Sequence, residues 1–311
     1  TASNNVAMGY GALTNVTTSN NVAIGYWALN ASSTGENNTA VGRSALQTST
    51  TGLYNTAVGY YALQANTTGS YNVAVGNNAL DANTTGTTNV AIGDGALTAN
   101  TTASANISIG RRSMYVSTTG GQNVAIGENA LYANTTGSYN TAVGYSVMVA
   151  NTSGVYNVAM GNEAGEANTT GDNGIFIGRD AGKGGTHAVT GNDSIAIGTQ
   201  ALHVDGAGNL TGGQNIAIGA YTLGKVTSGQ GNVCISTYAG DAITGGNFNT
   251  VIGGYAGLDV TTGDNNLLLG QNAGRTASPS GSNTTGDNNV VLGDNSIANL
   301  YCADTSISSS D

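Results

Sequence analysis

Along this chain a large aliphatic, a small residue and a second large aliphatic follow one another and then recur at a nearly constant interval, as in Val22-Ala23-Ile24, Val73-Ala74-Val75 and Ile216-Ala217-Ile218. Alternation with a period of two predicts a short strand. Each triplet follows an anchor in the core N-x-A-x-G. The anchors fall at Asn5, Asn21, Asn38, Asn55, Asn72, Asn89, Asn106, Asn123, Asn140, Asn157, Gly174, Ser194, Asn215, Asn232, Asn249, Asn266 and Asn289. Twelve of the sixteen intervals are seventeen residues; the others are sixteen at the start and twenty, twenty-one and twenty-three after Gly174, Ser194 and Asn266. A fixed period of this length is the mark of a solenoid, in which each unit forms one coil.

Within a unit the third residue after the anchor is always a large aliphatic, from Met8 to Leu292, whereas the first accepts Thr at Thr39, Thr56, Thr141 and Thr250. The two share a face, and the invariably large third position is expected to lie deepest. The middle residue, Ala or Ser in the first ten units, points the other way and predicts close approach of another backbone. Gly then follows in sixteen of seventeen units, Ser236 being the exception; Gly25, Gly59, Gly76, Gly93, Gly127, Gly144 and Gly161 read as structural corners that need a positive φ or a wall without Cβ. A second short strand is expected at Ala-Leu pairs such as Ala28-Leu29 and Ala130-Leu131, the Leu giving way to Gly at Gly165, Gly182, Gly240, Gly257 and Gly274. Each unit closes on turn chemistry such as Asn66-Thr67-Thr68-Gly69.

Two strands and two corners per unit predict an all-β fold, a narrow parallel β-solenoid running over residues 1–298 with enlarged coils at 174–214 and 266–288. At about 4.8 Å per coil, it forms a rod roughly 80 Å long. Each coil offers few aliphatics against an ordering cost of roughly 1–2 kcal/mol per residue. Chains are therefore expected to associate side by side, with the Ala and Gly rows at the contact.

Composition narrows the function. With 49 Gly, 1 Pro and 8 % charged residues the chain invites a disordered reading, but 39 % hydrophobic residues set in strict period oppose it. A net charge of −10 with only seven Lys and Arg leaves no basic patch, so no nucleic-acid partner is expected. No run of eighteen apolar residues is present, so no membrane insertion is expected of this fragment, and the start at Thr1-Ala2-Ser3-Asn4 suggests a piece of a longer protein. Cys234 and Cys302 make no disulfide framework and no zinc site; Cys234, in place of a small middle residue, reads as a packed, unreactive thiol.

The repeated core, in units such as Asn123-Val124-Ala125-Ile126-Gly127, resembles the YadA-like head repeats of trimeric autotransporter adhesins, which also occur in bacteriophage tail fibres. The resemblance runs from Asn5 to about Ile297. It implies a left-handed β-roll, a homotrimer around one axis, and exposure on a virion or outside a bacterial cell. The handedness and the number three come only from it. The longer Asn-Thr-Thr-Gly loop looks more like the phage fibre versions. The junction segment 299–311, from Asn299-Leu300-Tyr301-Cys302 to Ser310-Asp311, is similar to the sequence preceding a self-cleaving intramolecular chaperone of phage fibres and tailspikes.

Catalysis is not expected. The acidic residues are dispersed, and Glu163 with Glu166 or Asp172 with Asp180 would be carboxylate dyads only by coincidence of folding. No metal or other cofactor is expected: the recurring Gly-Asp-Asn turns, as at Gly171-Asp172-Asn173, lack the spacing of calcium loops and read as Asx turns. Candidate receptor contacts are the tyrosines preceding the anchor, Tyr54, Tyr71, Tyr139 and Tyr156, together with His187, His203 and Arg275 in the enlarged units. Aromatics in rows suit a glycan or a protein receptor on a host cell, or alternatively shield the coil edges. The leading expectation is a non-enzymatic tail fibre or fibre shaft. The alternatives are a bacterial adhesin head, a purely structural spacer and, least favoured, an ice-binding array, since adjacent Thr in a Gly turn do not form a flat strand face.

Overall fold

The computed structural model describes residues 3–31, 33–184, 189–204, 209–275 and 283–294. Seventeen strands of three residues each, β1 (Val6–Met8) to β17 (Val290–Leu292), form one parallel sheet without helices among the described residues. Each strand pairs in register with the next along the chain: Val73 opposes Val90, Ala74 opposes Ala91 and Val75 opposes Ile92. The expected β-solenoid is therefore the observed fold, with one strand of every coil in the sheet.

The direction of the side chains differs from expectation. The middle residue points into the coil: Ala23, Ala40, Ala57, Ala74, Ala91, Ala125, Ala142 and Ala159 have no exposed surface. The flanking aliphatics, including the third residue expected to be deepest, point outward and remain more than a third exposed at Ile92, Ile126, Met160, Ile177 and Ile218. The small residue is required because the interior is thin. The backbone it approaches belongs to the opposite side of its own coil, so the Ala row cannot serve as a contact between chains.

The Ala-Leu segment is also not a strand. It is a turn whose Leu takes a left-handed backbone, with φ of 48° at Leu29, 54° at Leu63 and 51° at Leu131. The left-handed conformation aims the N–H along the rod axis: Leu63 N–H donates to the Ala79 carbonyl at 2.9 Å, in the following coil. Two further left-handed positions in a typical coil donate backward, as Tyr61 does to Arg43 at 3.0 Å and Tyr71 does to Leu53 at 2.9 Å. Non-glycine residues at positive φ cost on the order of 1 kcal/mol or more each. Here these N–H groups in the regular coils close bonds between coils, which satisfies backbone that a thin interior has no other means of satisfying.

The expected glycine corners are present. Gly25, Gly59, Gly76, Gly93, Gly127, Gly144 and Gly161 have φ between +132 and +142°, and a Cβ on any of them would collide with the carbonyl group of the next corner in the stack. Anchor asparagines do more than make turns. They form a buried ladder: Asn72 N–H donates to Asn55 Oδ1 at 2.9 Å while Asn72 Nδ2 donates to the Gly86 carbonyl at 2.9 Å, and the pattern repeats at Asn89 and Asn123. A second buried ladder joins the loop asparagines, with Asn83 Nδ2 donating to Asn66 Oδ1 and Asn151 Nδ2 donating to Asn134 Oδ1.

The stack keeps its register through the enlarged coils. β11 (Ile175–Ile177), β12 (Ile195–Ile197) and β13 (Ile216–Ile218) pair like the others, and bridges Asn168 to Val189 to Leu210 continue the far side. The residues 185–188, 205–208 and 276–282, which fall in these coils, and the junction 299–311 lie outside the described residues.

Candidate receptor-contact surface

The residue before each anchor is left-handed and projects outward, so the rod carries one exposed row at this position. Tyr54 and Tyr71 occupy it in consecutive coils and stack at 5.1 Å between centroids, 10° apart; Tyr139 and Tyr156 do the same at 4.8 Å and 15°. Each ring remains about half exposed despite stacking, from 49 % at Tyr139 to 57 % at Tyr71. In-register coils about 4.8 Å apart place identical side chains at stacking distance without further adjustment. The two tyrosine pairs are separated along the row by Thr88, Ala105 and Gln122.

Other rows run parallel to this one. The position following the corner carries Tyr26, Arg43 and Tyr60 in consecutive coils, and the Arg43 guanidinium sits 5.6 Å from both ring centroids. Tyr221, Tyr238 and Tyr255 form a continuous stack at 4.9 and 5.2 Å, on whose last ring the Arg275 guanidinium rests at 5.8 Å. That stack is absent from the expected contacts, although its seventeen-residue spacing is as regular as that of the tyrosines before the anchor.

The remaining candidates do not gather into one site. Arg275 is half-buried and also donates to Asn272 Oδ1 at 3.0 Å. His203 is buried, at 9 % exposure, and presents little surface to a receptor. His187 lies outside the described residues. Glu163, Glu166 and Asp180 do converge, but on the Lys183 ammonium, which pairs with Glu163, with Glu166 at 3.1 Å and with Asp180 at 3.4 Å. The hydrogen bond from Lys183 holds the Glu163 carboxyl below the usual carboxylate range, against a smaller opposing effect of burial. Three carboxylates tied to one lysine form an ion-pair cluster across neighbouring coils. Cys234 is fully buried, and burial pushes its thiol well above the ordinary range. No group of three or more potential metal ligands occurs among the described residues.

The exposed face of the sheet is made of side chains expected to lie inside. The third residues of the seventeen strands make an unbroken aliphatic row along the sheet, including Val58, Ile92, Ile126, Met160, Ile197, Ile218 and Ile252, each at least 36 % exposed. The first residues widen it to a band, interrupted by Thr39, Thr56, Thr141 and Thr250, and over roughly 80 Å it presents several hundred Å² of apolar surface, on the order of the largest functional patches of soluble proteins. Parallel sheets are ordinarily covered on both faces. No protein-family model and no curated protein matches the chain.

Proposed function

We propose that the chain is a non-enzymatic attachment rod, a segment of a bacteriophage tail fibre built from YadA-like repeats and carried on the virion. The aliphatic band on the outer sheet face carries this reading. A parallel sheet with one bare apolar face calls for a cover of matching length, and identical copies of the chain supply one. Side-by-side copies, three as the resemblance implies, place three sets of tyrosine rows on the outside of a stiff shaft. Weak contacts at each row then combine, since the second and third engagements are intramolecular. The host cell-surface receptor, with glycans as the favoured class, meets aromatic surfaces already stacked in place.

The test is attachment of fluorescently labelled rods to a panel of bacterial cells. Shortening the three enlarged units by three, four and six residues restores seventeen throughout. Those units interrupt an otherwise monotonous surface, and loops on a rigid scaffold are where binding residues collect. Attachment is expected to weaken while assembly and melting temperature persist. Undiminished attachment would instead favour recognition by the regular rows, and absence of attachment by the intact rod would favour the spacer reading.

A further inference from the structure

The second residue after each corner is left-handed, and between Asn78 and Arg112 this row carries Gly95, at φ +64°. The missing side chain borders a cleft of about 170 Å³. Its walls, Asn78 and Arg112, are two coils apart, which leaves about one strand spacing, ~4.8 Å, between them. That is the thickness of one saturated ring. Tyr115 lies against Gly95 and is backed by Tyr132, stacked at 5.4 Å and 8°, so its ring is held before any ligand arrives. The Arg112 guanidinium is placed 5.8 Å from the Tyr115 centroid and has no carboxylate partner among the described residues. Asp94 Oδ1 accepts from Asn77 Nδ2 at 2.8 Å, which orients the carboxylate at the mouth. The Thr98 hydroxyl donates to the Asn78 carbonyl at 3.2 Å and so turns its lone pairs to the cleft.

We propose that this cleft binds one neutral hexopyranose unit, a site that rests on the attachment reading above and gives it a ligand class. A pyranose offers an apolar C–H face for an aromatic ring and a rim of vicinal hydroxyls that both donate and accept. The cleft offers the complement: an aromatic surface, a carboxylate acceptor and guanidinium and amide donors within one ring's reach. Asp94 and Arg112 line the cleft together, one negative and one positive charge, and this balance favours a neutral sugar over a charged one.

Saturation-transfer NMR on the full chain with methyl β-D-glucopyranoside, methyl β-D-galactopyranoside and methyl α-D-mannopyranoside tests the site. At least one glycoside is expected to receive saturation on its ring protons. Gly95→Asn fills the cleft with a residue that the same row already carries at φ 52° in Asn78 and 56° in Asn129, so the fold should persist. It is expected to lower affinity at least tenfold with a small fall in melting temperature, because its Cβ would stand 3.2 Å from Tyr115 Cε2, whereas Arg112→Gln is expected to lower affinity as much with the melting temperature unchanged. No transfer with any of the three glycosides, or equal transfer in both variants, overturns the proposal. Cell attachment separates the two levels: an intact rod that attaches to cells yet binds no glycoside contradicts the cleft alone, whereas one that does not attach at all contradicts the attachment reading.

Discussion

The Phe176 ring occupies the volume that a side chain at residue 182 would need: a Cβ on Gly182 would fall inside the ring's own van der Waals envelope. Phe176 stands where most coils have Ala, and Gly182 where most have Leu, and the two positions face one another across the interior. Gly165 in the preceding coil and the anchor Gly174, in place of Asn, are cleared for the same ring, since a Cβ at Gly174 would stand 2.6 Å from Phe176 Cε2. Cys234 repeats the exchange against Gly240, at 2.6 Å from the Cβ it would carry, and Leu268 does so against Gly257 and Gly274 at 3.1 Å.

This exchange makes a double-mutant prediction. Gly182→Leu overpacks the coil against the Phe176 ring and should cost about 3 kcal/mol or more, while Phe176→Ala leaves a cavity and should cost about 3–5 kcal/mol. Phe176→Ala with Gly182→Leu restores the pair found in the regular coils and should lie at least 1 kcal/mol above the sum of its parts. Chemical denaturation of the four proteins measures the coupling. Strict additivity would contradict the packing described.

The features legible in the sequence are those whose signal is local. The coil length, the strand triplets and the glycine corners are local and periodic, and Gly127 or Val124-Ala125-Ile126 declare themselves by repetition alone. Both halves of the exchange are equally plain in the sequence, but linking Phe176 to Gly182 needs knowledge of which face points inward. Alternation sets two faces apart without naming the inner one, and size alone points Val124 and Ile126 inward, where the structure instead buries Ala125. The Ala-Leu turn is not legible in the sequence because Leu at positive φ has no local signature; the bond from Leu63 to Ala79 that stabilises it spans two coils. The tyrosine rows are plain where they precede the anchor, while the stack of Tyr221, Tyr238 and Tyr255 sits where most other coils carry polar residues, which masks its regularity.

The loop asparagine ladder breaks at Ser117. Its hydroxyl and the neighbouring Asn100 Oδ1 are both buried without a hydrogen-bond partner. Ser117→Asn supplies the donor that Asn100 Oδ1 lacks and an amide that the regular loops place on the same carbonyl row. It should stabilise the chain by about 1–2 kcal/mol, read as a higher melting temperature. An unchanged or lower value would mean that the ladder is not an energetic unit.

Corner geometry predicts opposite outcomes for two substitutions. Gly127→Val sets a branched Cβ against the Gly144 carbonyl and should cost more than about 3 kcal/mol. Ser236 already occupies a corner at φ 106°, a conformation costly for any L-residue. Ser236→Gly should therefore stabilise by about 1 kcal/mol, strain relief exceeding the entropy given to the unfolded chain. Calorimetry on both variants checks the pair, and destabilisation by Ser236→Gly would show that the corner is not strained.

The Lys183 cluster ties stability to pH. Glu163 has a lowered pKa through its hydrogen bond from Lys183, so its contribution is present at neutral pH and is lost as pH falls through that lowered value. Burial pulls the Lys183 pKa down, but hydrogen bonds to Glu163 and Glu166 outweigh it and leave it raised; its contribution therefore holds below the ordinary lysine value and disappears only in strong alkali. Lys183→Met leaves Glu163 and Glu166 without their cation, while Asp180 keeps Arg179 at 3.6 Å. The melting-temperature gap between the two proteins should be widest near neutrality and should close as acid protonates the carboxylates, below about pH 4. A gap independent of pH would contradict the assignment.

The aliphatic band bears the weight of the functional reading, because a rod that stays single would need no cover on its sheet. Sedimentation equilibrium of the purified chain, with and without Ile92→Asp and Ile126→Asp in adjoining parts of the band, tests this directly. Both side chains are 38 % exposed, so a lone coil should accept Asp there without unfolding. The account predicts about three chains per particle for the wild type and dissociation to folded monomers for the double variant. A wild-type chain that sediments as a stable monomer, or a variant that assembles as before, would contradict it.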